Sequence, residues 1–553
     1  MGGRPRILLQ EPAGLSRRDS RGGAEGRAAV HAGGAAGRDH GRARTEAGGG
    51  RWQVKKLVVV AALIGCASNP PRAEAPAAPA APPAVTADAD YRLQAPAPGA
   101  PVQFKAPIPK QFKLHNGLPV YLIERHEVPL VSVVVAVRSG ADTEPRGKAG
   151  LASLALDLLD EGTPTRDAAA VARDFEDLAA RYRTQTDADS SGVGVTALAS
   201  TIDPVLAIFS DVVLHPAFRE ADVERVRVER LGAIAQSLDD PASVGQHVLS
   251  RVLFGEQHPW GFPAEGTAQS VKAITRQDLI AWHQAYFQPE NAAIFVVGDT
   301  SESALIPLLE KSFGGWKNSS APKPTPRKPQ LAGPRTIYVV DKPDAPQSQI
   351  WIGEIGVSST AQDIFPVRVM NTVLGGSFNS RLNGNLRTEH AWSYGVFSFY
   401  DTHREAGPFV AAGGVVSDKT AEALGEFIKE LQRMKSGEVT DAELSDAKES
   451  LVRAIPALFV SDDATAVAYA RAWAHGLPAD YYASYQQRVQ AVGKEEVAKA
   501  ARDRLHPDTM AIVVVGPRSA IEQKIAGLKL GKVELRDATG EASAAAAAAK
   551  AGK

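Results

Sequence analysis

Apolar and polar positions follow two rhythms along residues 102–535. Residues 120–124 and 130–138 are rich in β-branched side chains, which suit a pleated, half-buried surface, and predict strands. Residues 192–199 alternate, with Val193, Val195 and Ala197 on one side, as a strand with one buried face does. Residues 292–297 form a short apolar run that also predicts a strand. Between these segments the period lengthens. Leu151, Leu154, Ala155, Leu158 and Leu159 fall at i, i+3, i+4, i+7 and i+8, and Gly162 follows; this predicts a helix with one apolar face. Residues 220–238 and 275–286 predict two more helices. Strand pairs separated by helical blocks imply an α+β fold with mostly antiparallel sheets.

The pattern occurs twice. Residues 120–125 (Val-Tyr-Leu-Ile-Glu-Arg) correspond to 337–342 (Ile-Tyr-Val-Val-Asp-Lys), and the match runs on to Pro129 and Pro346, an offset of 217. Residues 274–298 align without gaps on 492–516, with Pro289 facing Pro507 and Gly298 facing Gly516, an offset of 218. Two distant segments with nearly one offset argue for two whole copies. The copies span 102–318 and 335–536, joined by a Pro/Lys-rich linker over 319–334 and followed by a low-complexity tail over 537–553.

Composition adds the setting. The 553 residues are 44% hydrophobic, enough for real cores. Lys plus Arg number 62 against 63 for Asp plus Glu, a net charge of −1, so no global field draws nucleic acid. Residues 1–53 are Gly, Ala and Arg with almost no apolar periodicity and read as disordered, or as the product of a start codon assigned too early. Residues 54–66 read as a signal peptide: Lys55 and Lys56, an apolar run over 57–64, then Leu63-Ile64-Gly65-Cys66. The ending resembles the bacterial lipoprotein cleavage box and makes Cys66 the lipidated first residue of the mature chain. Residues 67–101 are a Pro/Ala-rich spacer. Ala67 in place of Asp suggests the outer membrane, with the body on the periplasmic face of the cell envelope. No other run is apolar over the roughly 18 residues that a spanning helix needs.

Several short motifs carry chemistry. The first copy holds Asn116-Gly117-Leu118-Pro119-Val120, Ser139-Gly140-Ala141, Gly150-Leu151-Ala152 and Glu161-Gly162-Thr163. The second holds Leu374-Gly375-Gly376-Ser377-Phe378-Asn379-Ser380-Arg381-Leu382, Leu386-Arg387-Thr388-Glu389 and Trp392-Ser393-Tyr394-Gly395-Val396. Here Gly375-Gly376 ends one helix, and Ser377 or Asn379 is placed to cap the next. On these residues, most of 102–535 resembles the insulinase/pitrilysin/mitochondrial-processing-peptidase family of zinc metallopeptidases.

The resemblance implies processing-peptidase-like copies that together make one half of a clam shell. In active members the helix after Gly-Leu-Ala carries His-x-x-Glu-His, two zinc ligands and a base on one face. Here those positions are Ser153, Leu156 and Asp157, and the third ligand, placed by Asp239-Asp240-Pro241, falls near Ala233. The expectation is no catalytic metal site in this chain. Thr388-Glu389-His390 and Asp401-Thr402-His403 lack a two-His i, i+4 spacing, and His247 and His258 are isolated. Arg387 and Tyr394 fit the places where relatives hold the substrate backbone and stabilise an oxyanion. The resemblance thus implies the non-zinc-binding subunit of a heterodimeric zinc endopeptidase. The cofactor is expected in a partner subunit that carries His-x-x-Glu-His, and the substrates are peptides or unfolded segments. A non-catalytic peptide-binding or scaffold protein of the same fold is the alternative.

Overall fold

A computed structural model describes residues 103–318 and 333–543, with the single residues 322 and 329 between them. Cys66, the signal peptide, the spacer and residues 544–553 lie outside the described residues. Among the described residues no helix is long and apolar enough to cross a membrane.

The first copy forms six strands: β1 (Lys110–Lys113), β2 (Pro119–Glu124), β3 (Leu130–Val137), β4 (Arg181–Thr186), β5 (Ser191–Leu198) and β6 (Ala292–Gly298). Their order in the sheet is β1-β2-β6-β3-β5-β4, and only β2 and β6 pair in parallel. The second copy repeats five of these strands as β7 (Thr336–Asp341), β8 (Gln347–Ile355), β9 (Val396–Tyr400), β10 (Pro408–Val416) and β11 (Ala511–Gly516), and adds its own edge strand, β12 (Lys532–Arg536). Its order is β12-β7-β11-β8-β10-β9, with β7 parallel to both β11 and β12 and the other pairings antiparallel. Both sheets are therefore mixed but mostly antiparallel, in an α+β fold of two like halves. The predicted strand pattern holds in detail: Val193, Val195 and Ala197 are buried against Val131, Val133 and Val135 in one core.

The central strands are buried on both faces, β6 along its whole length. A half-exposed sheet would alternate; this one does not, because the copies exchange helices. Five helices position the polar clusters and hold the copies together: α1 (Leu151–Asp157), α2 (Glu220–Ser237), α3 (Pro241–Phe254), α4 (Arg276–Tyr286) and α5 (Asp462–Ala474). From the first copy, α3 lays Val244, Val248, Leu249, Leu253 and Phe254 on the second sheet, against Val340, Trp351, Val410, Val513 and Val515. From the second copy, α5 lays Ala466, Tyr469 and Ala470 on the first sheet, against Val134, Ala136, Phe295 and Val297. Each fully buried aliphatic or aromatic side chain contributes about 1.5–3 kcal/mol, so this apolar exchange dominates surface pairs such as Lys342–Asp239 at 3.5 Å. Both helices start on a side-chain cap: Asp240 accepts from the N–H of Ser243, and Ser461 from that of Ala464.

Candidate catalytic site

The site is built on α1. Gly150 precedes it at φ 90°, in the left-handed region where glycine is at ease. A Cβ there would lie 2.6 Å from the carbonyl oxygen of Glu265. The buried carboxyl of Glu144 accepts from the N–H of Gly150 at 3.1 Å and of Ala152 at 3.0 Å, fixing the start of the helix. Burial pushes this carboxyl up to about 8, against those two hydrogen bonds.

One turn apart on α1, Ser153 and Asp157 face α2. The residue that meets them there is Arg230, one turn before Ala233. Its Nη1 donates to Ser153 Oγ at 2.8 Å and to the carbonyl of Glu265 at 3.1 Å. Its Nη2 donates to Asp157 Oδ2 in an ion pair. Ser153 Oγ in turn donates to the carbonyl of Ala264 at 2.7 Å. The Arg230 side chain is 3% exposed. A cavity of about 40 Å³ remains, lined by Ser153, Asp157, Arg230, Ala264, Glu265 and Thr184–Thr186 of the edge strand β4. Leu156, at the expected base position, is 1% exposed and belongs to the apolar core.

This donor set does not suit a catalytic zinc, which needs three protein ligands and an open position. One hydroxyl and one carboxylate are present, and the third side chain is a guanidinium that stays protonated. The cation at this place is part of the protein. Sequence analysis did not single out Arg230; the Asp-Asp-Pro landmark points to Ala233, one turn further along the same helix.

The second-copy segment is arranged differently. The helix Ile364–Asn371 widens into a π turn over Thr372–Gly376, and a Cβ on Gly375 would sit 2.6 Å from the N–H nitrogen of Ser398. The short helix Arg381–Asn383 is led by Ser380, without a side-chain cap; Ser377 and Asn379 do not cap it, and Ser377 Oγ instead donates to the carbonyl of Thr372. Arg381 anchors the segment through a two-pronged pair to Glu443 at 2.7 and 3.0 Å. Burial works against the Glu443 charge, but Arg381 and the N–H of Thr440 hold that carboxyl down at about 2.

Arg387 lies in the following π turn, Gly384–Glu389. Its guanidinium stacks over the exposed ring of Phe378 at 4.1 Å and makes no hydrogen bond among the described residues. Tyr394 stands two residues ahead of β9 and is 90% exposed, which excludes a role as a core aromatic. No hydrogen bond or ion pair joins residues 377–394 to α1 or α2 among the described residues. The structure therefore keeps the Arg230 site and the Arg387/Tyr394 surface as separate features.

The arrangement defines a class: a duplicated α+β body whose first copy holds an internal ion pair between Arg230 and Asp157. Comparison with known proteins gives the family. The profile described as "Insulinase (Peptidase family M16)" matches residues 120–257, and that described as "Peptidase M16 inactive domain" matches 273–451. A Bacillus subtilis chain named an uncharacterized zinc protease is 24% identical over 62% of this chain and 82% of its own length. A Mycobacterium bovis chain of the same description is 28% identical over 62% of this chain and 78% of its own. A Helicobacter pylori relative named a non-peptidase homolog is 24% identical over 61% and 78%. A crystal structure of a peptidase M16 inactive domain from Pseudomonas fluorescens superposes with a TM-score of 0.69 at 24% identity, covering 74% of this chain and 98% of that one. The chain belongs to the insulinase family, peptidase family M16.

Proposed function

We propose that this chain is the subunit without a catalytic metal in a two-chain zinc endopeptidase of the cell envelope. The observation that carries the reading is the contrast between the copies. At Ser153, Asp157 and Arg230 the metal position is closed by a buried ion pair. In the second copy Tyr394 is exposed, and Arg387, half-buried and stacked on Phe378, has no hydrogen-bond partner among the described residues. A half-buried Arg with no hydrogen-bond partner among the described residues offers a fork of donors to a peptide carbonyl or a developing oxyanion, and an exposed phenolic O–H offers one more. A partner of the same family with His-x-x-Glu-His supplies zinc and base, and the peptide lies between the two chains. The lipid anchor at Cys66 tethers the pair to a membrane.

The test pairs the full chain with an exported family member that carries His-x-x-Glu-His. Arg387→Ala is expected to lower peptide turnover about a hundredfold, the usual cost of one oxyanion donor, while the two chains still co-elute. Tyr394→Phe is expected to lower it as well. If both variants turn over peptide as fast as the parent, the transition-state role is wrong. The Helicobacter pylori relative's name, "non-peptidase homolog", favours a second reading, a peptide-binding protein that does no chemistry. Peptide binding by the lone chain, with no gain in cleavage from any partner, would select it.

A further inference from the structure

A second polar cluster lies away from α1 and takes no part in the proposed peptide cleavage. It is assembled from both copies. The turn between β4 and β5 brings Asp187 and Asp189; the loop after β9 brings His403; the end of α5 brings His475. His403 is 2% exposed, His475 5% and Asp189 1%. His403 Nδ1 lies 3.9 Å from Asp187 Oδ1 and 3.8 Å from Asp189 Oδ1. His475 Nε2 lies 4.0 Å from Asp187 Oδ2 and 3.6 Å from Asp189 Oδ1. These spacings are too long for direct hydrogen bonds. Three of these five facing atoms (Asp189 Oδ1, His403 Nδ1 and His475 Nε2) have no hydrogen-bond partner among the described residues. Buried polar atoms are almost always satisfied, and three orphans aimed at one point ask for a common partner.

We propose that this partner is a divalent transition-metal ion, zinc in the first instance, held by His403 Nδ1, His475 Nε2 and the carboxylates of Asp187 and Asp189. The ligand atoms of Asp187, His403 and His475 lie within 4.8 Å of one another. Tetrahedral zinc with bonds of about 2.0–2.2 Å spaces its ligand atoms about 3.4 Å apart, so the imidazole–carboxylate separations of 3.6–4.0 Å close by a few tenths of an ångström, and the widest separation in the set, up to 4.8 Å, closes by about 1.4 Å. Two imidazoles with two carboxylates form a set that zinc accepts.

The surroundings are those of a built site. The other nitrogen of His403, Nε2, lies 3.2 Å from Asp401 Oδ2, the carboxylate support that orients metal-bound histidines. Asp189 gives its second oxygen, Oδ2, to the N–H of Arg404 at 2.7 Å, which leaves Oδ1 to the centre. Backbone packs on both flanks. A Cβ on Gly140 would lie 2.7 Å from the N–H nitrogen of Ser190, and one on Gly407 would lie 2.9 Å from His403 Cδ2. Asp187, 15% exposed at its side chain, is the open edge by which an ion enters. The site is structural. It pins the β4–β5 turn of the first copy to the loop and helix end of the second, and so fixes β4, which lines the cavity at Arg230.

The experiment strips the full chain with chelator, dialyses it, and titrates zinc and cobalt(II) separately, reading stoichiometry, melting temperature and the visible spectrum of cobalt. One ion per chain is expected. Zinc is expected to raise the melting temperature by several degrees, and cobalt to give the absorption of a nitrogen/oxygen site. His475→Asn and Asp189→Asn are expected each to lose the ion and the thermal gain. Ser153→Ala with Asp157→Ala is expected to keep both. Should His475→Asn fail to fold, the stripped parent carries the test alone through its melting shift and cobalt spectrum. Absence of ion uptake by the stripped parent overturns the proposal, leaving the cluster to a protonated His403 among carboxylates. Loss of the ion in the Ser153/Asp157 variant also overturns it, by placing the metal on α1.

Discussion

A single side chain settles the state of α1. Arg230 is buried, permanently charged and paired with Asp157, and breaking a buried pair by removing one partner costs about 3–5 kcal/mol. Because the Asp157 side chain is 24% exposed, Arg230→Met is expected near the lower end of that range, measured by chemical denaturation. Installing His at 153 and 157 and Glu at 156 while Arg230 remains is expected to add no zinc beyond the parent's content, because the guanidinium occupies the place. Adding Arg230→Glu to that triple variant creates a three-ligand set, and extra zinc is expected only then, read by elemental analysis. His283 gives a residue-scale pH effect. It is buried on α4, its Nε2–H donates to the carbonyl of Val213 at 2.8 Å, and burial lowers its pKa to about 4. The unfolded chain takes up this proton first, so the contribution is complete above about pH 6.5 and is lost as pH falls from there towards about 4. Between about pH 7.5 and about pH 5 the loss is roughly 2 kcal/mol. The parent is expected to lose that much more stability than His283→Gln over this window; equal slopes would contradict it. Ser153, Leu156 and Asp157 could be singled out in the sequence, since a motif is read at fixed spacing along one helix. Arg230 and the pair His403 and His475 were not legible, because only the fold brings residues so distant in sequence together.

The elements that bind the copies are α3 and α5. Gly245 on α3 shows how close the contact is: a Cβ there would lie 3.1 Å from Trp351 Cγ and would collide with the nearer indole atoms. Gly245→Val is expected to cost about 1–3 kcal/mol or more through overpacking, seen as a lower melting temperature. Gly232→Ala on α2, where a Cβ meets nothing within 4 Å, is expected to be neutral or slightly stabilising. Strand and helix assignments were largely readable from period alone. Residues 120–124 and 292–297 became β2 and β6, and 220–238 became α2 within a residue. The helix begun at Leu151 ends sooner than its apolar repeat, tightening into a 3-10 turn over Leu159–Glu161 before Gly162. The destination of α3 was not readable. Its apolar stripe says that it packs on a sheet but not on which one, and only the two-sided burial of the central strands reveals the exchange.

For the whole molecule, helix exchange makes the two copies one body although their sequence reads as two in tandem. A chain cut at an engineered protease site between residues 319 and 334 is therefore expected to elute as a single species under native conditions and to separate only in denaturant. The duplication itself was legible from the offsets of 217 and 218, and the order shared by five strands of each sheet, β2-β6-β3-β5-β4 and β7-β11-β8-β10-β9, agrees with it. Under the proposed function, what the molecule does with this body depends on Arg387 and Tyr394, and so on a second chain. The measurement that tests this most directly is cleavage of an unstructured peptide by the full chain alone, by a His-x-x-Glu-His family member alone, and by their mixture, each with and without Arg387→Ala. The account expects the lone chain to be inert, the mixture to cleave faster than the zinc-bearing member alone, and that gain to vanish with Arg387→Ala. Cleavage by the lone chain, or a mixture no faster than its zinc-bearing member, would contradict it.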